Sequence, residues 1–290
     1  MLYFALPNIC ENFQLNLFMH ELTKVMPDSF KTKVSFFTQQ GGLPYCSWNG
    51  GVNSNIGAGV YYNDLVDMQR SHSLPTRLNM SNVLLEEYDF YDNFSHIILE
   101  VFNNGSTVVE LSSIPLMEYI REKFPYYRFM FSKNADLITA FTPELLDSIL
   151  EEVNDVTLIG VPDKYTFNLE WLNQLKRKNM YEITVNPFCS AKCQNCDICL
   201  LKEHQNQIDY SGKSVLGLCN HSYNVLDLTN VLSIEEILEK YKGFNRFTFT
   251  CVYGRTVEEW LSFYINYFIK PSDYLKVTEY WNTWAQGQQK

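Results

Sequence analysis

Short β-rich runs alternate with helical patterns along almost the whole of this chain, and that alternation restricts the fold more than any other feature. Strands separated by helix-length crossovers belong to a parallel sheet with helices packed over it. Eight candidate strands can be read: Leu2–Ala5, Lys33–Thr38, Thr76–Met80, Thr107–Leu111, Arg128–Phe131, Val156–Ile159, Tyr181–Val185 and Arg246–Thr250. Helical patterns fill most of the intervals. Leu15, Phe18, Leu22 and Val25 share one face ahead of Pro27, and Ser113 can cap a helix carrying Leu116, Tyr119, Ile120 and Phe124, closed by Pro125. Ser233 with Glu236 makes a capping box in front of Ile234, Ile237, Leu238 and Tyr241, and Thr256 with Glu259 makes another in front of Val257, Trp260, Leu261, Tyr264 and Phe268. Eight strands in this order fit a (β/α)8 TIM-like barrel, closed or incomplete, better than an open doubly wound sheet. The expected organisation is one α/β barrel domain over residues 1–271, with a cysteine-rich excursion at 187–232 after strand seven, and a C-terminal extension at 272–290. Its polar stretch Thr278–Lys290 is expected to fray.

A chain of 290 residues with 46% hydrophobic content can bury a substantial core. No run of about twenty apolar residues is present, and the apolar opening Met1–Pro7 is too short for a signal peptide, so a cytoplasmic protein without a membrane partner is expected. A net charge of −10 argues against an extended nucleic-acid surface, because phosphate neutralisation needs clustered Lys and Arg. A small molecule or a nucleobase held locally remains the expected substrate class. Eight cysteines in a reducing compartment read as ligands or buried thiols rather than disulfides.

Four of those cysteines lie within eleven residues, as Cys189-Ser-Ala-Lys-Cys193-Gln-Asn-Cys196-Asp-Ile-Cys199. Several soft thiolates on one short loop can converge on a metal without help from distant chain, and such crowding is the habit of cubane iron–sulfur clusters. Structural zinc sites more often join two separated CxxC pairs, so a [4Fe-4S] cluster is the first expectation, with zinc and free or redox thiols as alternatives. Cys219 competes with Cys199 for the fourth ligand place, and His204 and His221 are weaker candidates. In a barrel the loops after each strand share one rim, so the cysteine loop, Cys46 after strand two and Cys251 at the end of strand eight should all face one mouth.

Two more loops belong to that rim. Strand two leads into a turn-rich segment with Trp48, Asn49, Gly50 and Gly51. These can offer a stacking face, an amide and close backbone approach to a substrate, or can form a structural loop with Trp48 as its plug. On strand three, Arg77 and Asn79 alternate with apolar neighbours and so share a face, expected to look inward, where an arginine needs an anion or a carboxylate. Arg77, Asn79 and Arg255 are the catalytic candidates. Trp48, Asn49, Gly50, Gly51, Arg77 and Asn79 are the substrate-binding ones.

The Trp48-Asn-Gly-Gly51 loop, the Arg77-Leu-Asn-Met-Ser-Asn82 strand, the Val185-Asn-Pro-Phe-Cys-Ser-Ala-Lys-Cys193 loop and the Gly254-Arg255 turn before Tyr267-Phe-Ile-Lys-Pro271 resemble barrel proteins of gut bacteria and their phages. These are distantly similar to the collagenase-like peptidase family, peptidase family U32. The resemblance implies a four-cysteine [4Fe-4S] cluster that supports hydroxylation of RNA bases or a quinone precursor, with Cys189, Cys193 and Cys196 as ligands and Cys199 or Cys219 as the fourth. The chain departs from those relatives at Val52, where Arg is frequent, and at Tyr253, which replaces an acidic residue. The spacing Cys189-x3-Cys193-x2-Cys196 also looks like that of radical S-adenosylmethionine enzymes, in which one iron stays open for the cofactor. There the motif follows the first barrel strand, whereas here it follows the seventh.

Overall fold

The structure is a computed structural model that describes residues 1–7, 9–39, 46–50, 74–103, 105–153, 155–187, 201–202, 204–205, 208–209, 231–250 and 256–288. Its strands form a closed barrel in sequence order. They are β1 (Leu2–Leu6), β2 (Val34–Gln39), β3 (Thr76–Met80), β4 (Val108–Leu111), β5 (Arg128–Phe131), β6 (Val156–Gly160), β7 (Tyr181–Thr184) and β8 (Arg246–Thr248). Every neighbouring pair is parallel, and β8 closes on β1 with Phe4 opposite Phe247. The TIM-like barrel expectation therefore holds, with all eight strands closing in sequence order, and no strand end moves by more than two residues.

The described helices are α1 (Ile9–Val25), α2 (Asn93–Phe102), α3 (Ile114–Lys123), α4 (Pro143–Glu152), α5 (Leu169–Gln174), α6 (Ile234–Lys240), α7 (Val257–Phe268) and α8 (Tyr274–Gln288). Their starts follow the capping chemistry written in the sequence. Ser113 Oγ accepts from Leu116 N at 3.3 Å. The Ser233–Glu236 and Thr256–Glu259 capping boxes are both closed in each direction. Two residues assigned to apolar stripes face water instead: Val25 is the last residue of α1, and Leu238 flanks the buried line Ile234, Ile237 and Tyr241.

Partners at the same register on parallel strands point to the same side of the sheet, and successive residues alternate. The outward set includes Phe4, Phe36, Leu78, Val109, Phe129, Ile183 and Phe247, all buried under the helices. Phe4 sits at the centre of this layer. Its ring centroid lies 5.5 Å from Phe247 and 4.9 Å from Phe268 of α7, the latter edge-on, an arrangement that favours aromatic pairs beyond their burial.

The C-terminal extension does not fray over its described part. It continues as α8, in which Trp281 and Trp284 meet Phe18 of α1 at 4.9 and 5.5 Å, and the Trp284 indole N–H donates to Glu21 Oε2 at 2.7 Å. Aromatic residues on one face dock a helix whose average composition is polar. No described helix is long and apolar enough to cross a membrane.

Phe4→Ala removes a fully enclosed ring from a layer whose other rings cannot collapse onto it. The expected loss is about 3–5 kcal/mol of unfolding free energy, measurable as a drop in urea midpoint with little change in slope.

Candidate functional site

The C-terminal ends of the strands define the rim where barrels place their chemistry. From β7 the chain passes through Val185, Asn186 and Pro187, and the next residues carry the cysteines. Cys189, Cys193, Cys196, Cys199 and Cys219 lie outside the described residues, as do Gly51, His221, Cys251 and Arg255. The base of the excursion is described, and it is tightly closed. Val185 N donates to Thr248 O at 2.9 Å, Leu232 N donates to Val185 O at 2.9 Å, and the Tyr267 hydroxyl donates to Leu232 O at 2.6 Å. Thr250 N donates to Asn186 Oδ1 at 2.8 Å. The excursion thus departs and returns at adjacent points on the rim.

The segment Cys46–Gly50 after β2 welds three neighbours together. Ser47 donates through its N–H and its hydroxyl to Asp92 Oδ2, the same carboxylate that caps α2 through Phe94 N. Trp48 is fully enclosed, with its indole N–H donating to Asp89 O at 2.7 Å and its ring edge-on to His96 at 5.1 Å. Of the two arrangements open to it, this is the plug rather than an open stacking face. Asn49 Nδ2 donates to Asn79 O at 2.8 Å, while Asn79 Oδ1 accepts from Ser81 Oγ at 2.5 Å. Gly50 lies so close to the end of β3 that an added Cβ would fall 2.4 Å from the Ser81 carbonyl carbon. Only glycine fits there.

The Gly50 carbonyl accepts from Asn134 Nδ2 at 3.1 Å and faces His204 Nε2 at 3.1 Å. Val83 N donates to His204 Nδ1 at 3.3 Å, so that nitrogen is the acceptor and the proton sits on Nε2. Burial lowers the His204 pKa to about 4, only partly opposed by the Gly50 carbonyl. His204 is therefore a neutral core histidine that pins the excursion to the β2 and β3 loops. Neither of its nitrogens is available as a ligand.

Cys46 corrects the expectation that its thiol faces the mouth. Its Sγ lies 3.2 Å from Ser95 Oγ of α2 and 4.0 Å from Met80 Sδ, on the outward face of β3, so it belongs to the layer between sheet and helices. Desolvation pushes the thiol up to about 12, which keeps it protonated and a poor metal ligand.

Arg77 points into the barrel, as its phase on β3 predicted, but the anion it meets is the protein's own. Nη1 donates to Glu182 Oε1 of β7 at 2.5 Å, and Nε lies 3.3 Å from Glu110 Oε2 of β4. Nη2 donates to Gln39 Oε1 at 2.7 Å and to Thr248 Oγ1 at 3.1 Å. The guanidinium side chain is 2% exposed, with both Nη atoms hydrogen-bonded and Nε in ionic contact with Glu110. Burial raises the Glu182 pKa, and Arg77 opposes that rise by holding the charged form. Sequence reading singled out the arginine and missed its partners. The signal was present: Glu110 and Glu182 are lone acids in the apolar strands Val-Val-Glu-Leu and Tyr-Glu-Ile-Thr.

Polar groups continue upward from this cluster. Ser132 Oγ donates to Glu110 Oε1 at 2.6 Å, and Asn134 Nδ2 donates to Ser81 Oγ at 2.9 Å. At the rim Lys133 Nζ pairs with Asp163 Oδ1 at 2.6 Å and donates to Thr184 Oγ1 at 2.9 Å, with 27% of each charged side chain exposed. Lys133 reaches this place because Gly160 ends β6 without a side chain: a Cβ there would fall 2.9 Å from Lys133 N. The rim thus presents a partly exposed ion pair beside the end of β7. Among the described residues no group of three or more His, Cys, Asp or Glu could hold a metal ion.

The sequence matches no protein-family model and no curated protein. Among solved structures the chain is similar to the U32 peptidase Mk0906, at 12% sequence identity and a TM-score of 0.49, over 87% of this chain and 92% of that one. A likeness of this size does not assign the chain to that family.

Two stability measurements follow from the buried groups. Because the folded state holds His204 near pKa 4 while the unfolded chain titrates near 6.5, the unfolded state takes up the proton first as pH falls. Stability present above pH 6.5 should fall by about 2–3 kcal/mol between pH 7 and pH 4.5, and His204→Gln should remove that share of the slope in urea titrations. Arg77→Met leaves two carboxylates buried without their cation and should lower stability by about 3–5 kcal/mol at neutral pH. In a double-mutant cycle, adding Glu182→Gln should cost less in Arg77→Met than in the native chain.

Proposed function

We propose that the chain is a cluster-binding barrel enzyme, or the cluster-bearing subunit of one, acting oxidatively on a nucleobase or small aromatic molecule. The observation that carries the proposal is the set of four cysteines within eleven residues, in a run that starts three residues beyond Asn186, after the C-terminal end of β7 in sequence. Cys189, Cys193 and Cys196, with Cys199 or Cys219, would hold a [4Fe-4S] cluster, and the donor set fits because the thiols are soft, closely spaced and set among polar companions. With both its nitrogens engaged by backbone groups, His204 does not compete with the thiolates for a ligand place. When bound, such a cluster supplies one-electron chemistry at the rim.

The chain's own residues would prepare the site. Closure of the excursion at Val185 and Leu232 limits how far its ends can move apart. Lys133, oriented by Asp163 and Thr184, offers a fixed cation to a substrate oxygen or carboxylate approaching the rim. Trp48, being enclosed, is not the stacking partner of an aromatic substrate in this arrangement.

Anaerobic purification followed by iron, sulfide and zinc analysis tests the proposal. Iron and acid-labile sulfide in equal amounts, with a broad absorbance near the visible edge, are expected. Loss of both in Cys199→Ala alone or in Cys219→Ala alone names the fourth ligand, and a cluster that survives removal of both cysteines together favours an open iron of the S-adenosylmethionine-binding kind. Zinc without sulfide would make the cysteines a structural staple, and no metal at all would sink the proposal.

A further inference from the structure

The opposite end of the barrel holds a feature that the rim chemistry does not use. A cavity of about 240 Å³ opens among the N-terminal ends of the strands, lined by Phe37, Thr76, Arg77, Val108, Arg128 and Arg246, with Leu158 among its other neighbours. By register, Phe37, Arg77, Val108, Arg128, Leu158 and Arg246 all belong to the inward-facing set, so three arginines from β3, β5 and β8 converge on one space.

Their charges are not equivalent. Arg77 forms the roof, its guanidinium committed to Glu110 and Glu182 above and its Cζ lying 5.4 Å from the Phe37 ring centroid. Arg128 is exposed at the mouth, and Arg246 is half-buried with its Cζ 5.0 Å from the Tyr3 ring. Among the described residues neither of these two has a carboxylate within ion-pair distance and no acidic side chain lines the cavity. Two guanidiniums lining one cavity repel each other, and an anion placed between them relieves that repulsion. In a chain of net charge −10, such a local excess of positive charge is unlike the rest of the molecule.

We propose that this N-terminal mouth is an anion site for a phosphate group, separate from the rim, held by Arg128 and Arg246. Guanidiniums suit it because their planar donors match a tetrahedral oxyanion in pairs. The cavity exceeds what one phosphate fills, so the group could arrive as free phosphate or as the head of a compact phosphate monoester.

The test is thermal unfolding of the full chain titrated with inorganic phosphate or with glycerol phosphate, against potassium chloride at matched ionic strength. Saturable stabilisation beyond the chloride control is expected, as ligation of the folded state requires. Arg128→Gln and Arg246→Gln should each weaken the apparent affinity about tenfold or more while leaving the phosphate-free Tm of the exposed Arg128 variant close to native. Protection by phosphate alone identifies the free ion, and protection by both probes identifies the shared group. The proposal is overturned if chloride protects equally, if neither probe saturates, or if both variants respond as the native chain does.

Discussion

One guanidinium holds the inside of this barrel together. Around Arg77 meet Gln39 of β2, Glu110 of β4, Met130 of β5, Glu182 of β7 and Thr248 of β8, so six of the eight strands touch at one charged group. Barrels of this kind are normally filled by layers of branched apolar side chains. Here the middle is ionic, and the apolar packing lies in the outer layer between strands and helices. Such an interior is intolerant of register error. A slip of one residue in β3, β4 or β7 would turn a charge into the aromatic outer layer and leave its partners uncompensated.

The ionic middle also sets the geometry above it. Glu110 accepts from Ser132, and Asn134 two residues on reaches both Gly50 and Ser81, so the β2, β3 and β5 loops take their places from a carboxylate inside the barrel. His204 then attaches the excursion to the same Gly50 carbonyl. The glycine's missing side chain is what lets that carbonyl lie where an amide and an imidazole can share it. Where the chain is described, the rim is cross-linked by these buried hydrogen bonds, and such support is what positioning side chains to within a fraction of an ångström requires.

The fold was legible because it rests on periodicities that local sequence states directly. Strand phase, capping boxes and the prolines after α1 and α3 all act within a few residues, and the strands appeared within two residues of their expected ends. The described polar residues near the rim were legible in type but not in their partners. Arg77 could be seen to face inward, yet its partners lie 33 and 105 residues away and are chosen by barrel closure, which spacing does not encode. Trp48 and Asn49 have the chemistry of a binding loop, and the structure directs that same chemistry to Asp89 and Asn79. The fate of a polar side chain depends on which backbone carbonyl arrives beside it. For α8 the misleading quantity was an average: two tryptophans on one face outweigh a polar composition when Phe18 lies opposite.

The same cluster divides the barrel into two ends with different electrostatics. Above Arg77 lie the carboxylates, Lys133 and the base of the cysteine excursion, and below it lie Arg128, Arg246 and the cavity. Because Arg77 bonds upward to Glu182 while roofing the cavity below, negative charge entering from beneath would compete for its field. Weaker support from Arg77 would raise the proton affinity of Glu182 further, since burial already favours its neutral form and Arg77 is the chief influence opposing that. An anion held at the lower mouth, as proposed, would therefore be felt at Glu182 through Arg77, which among the described residues faces both ends.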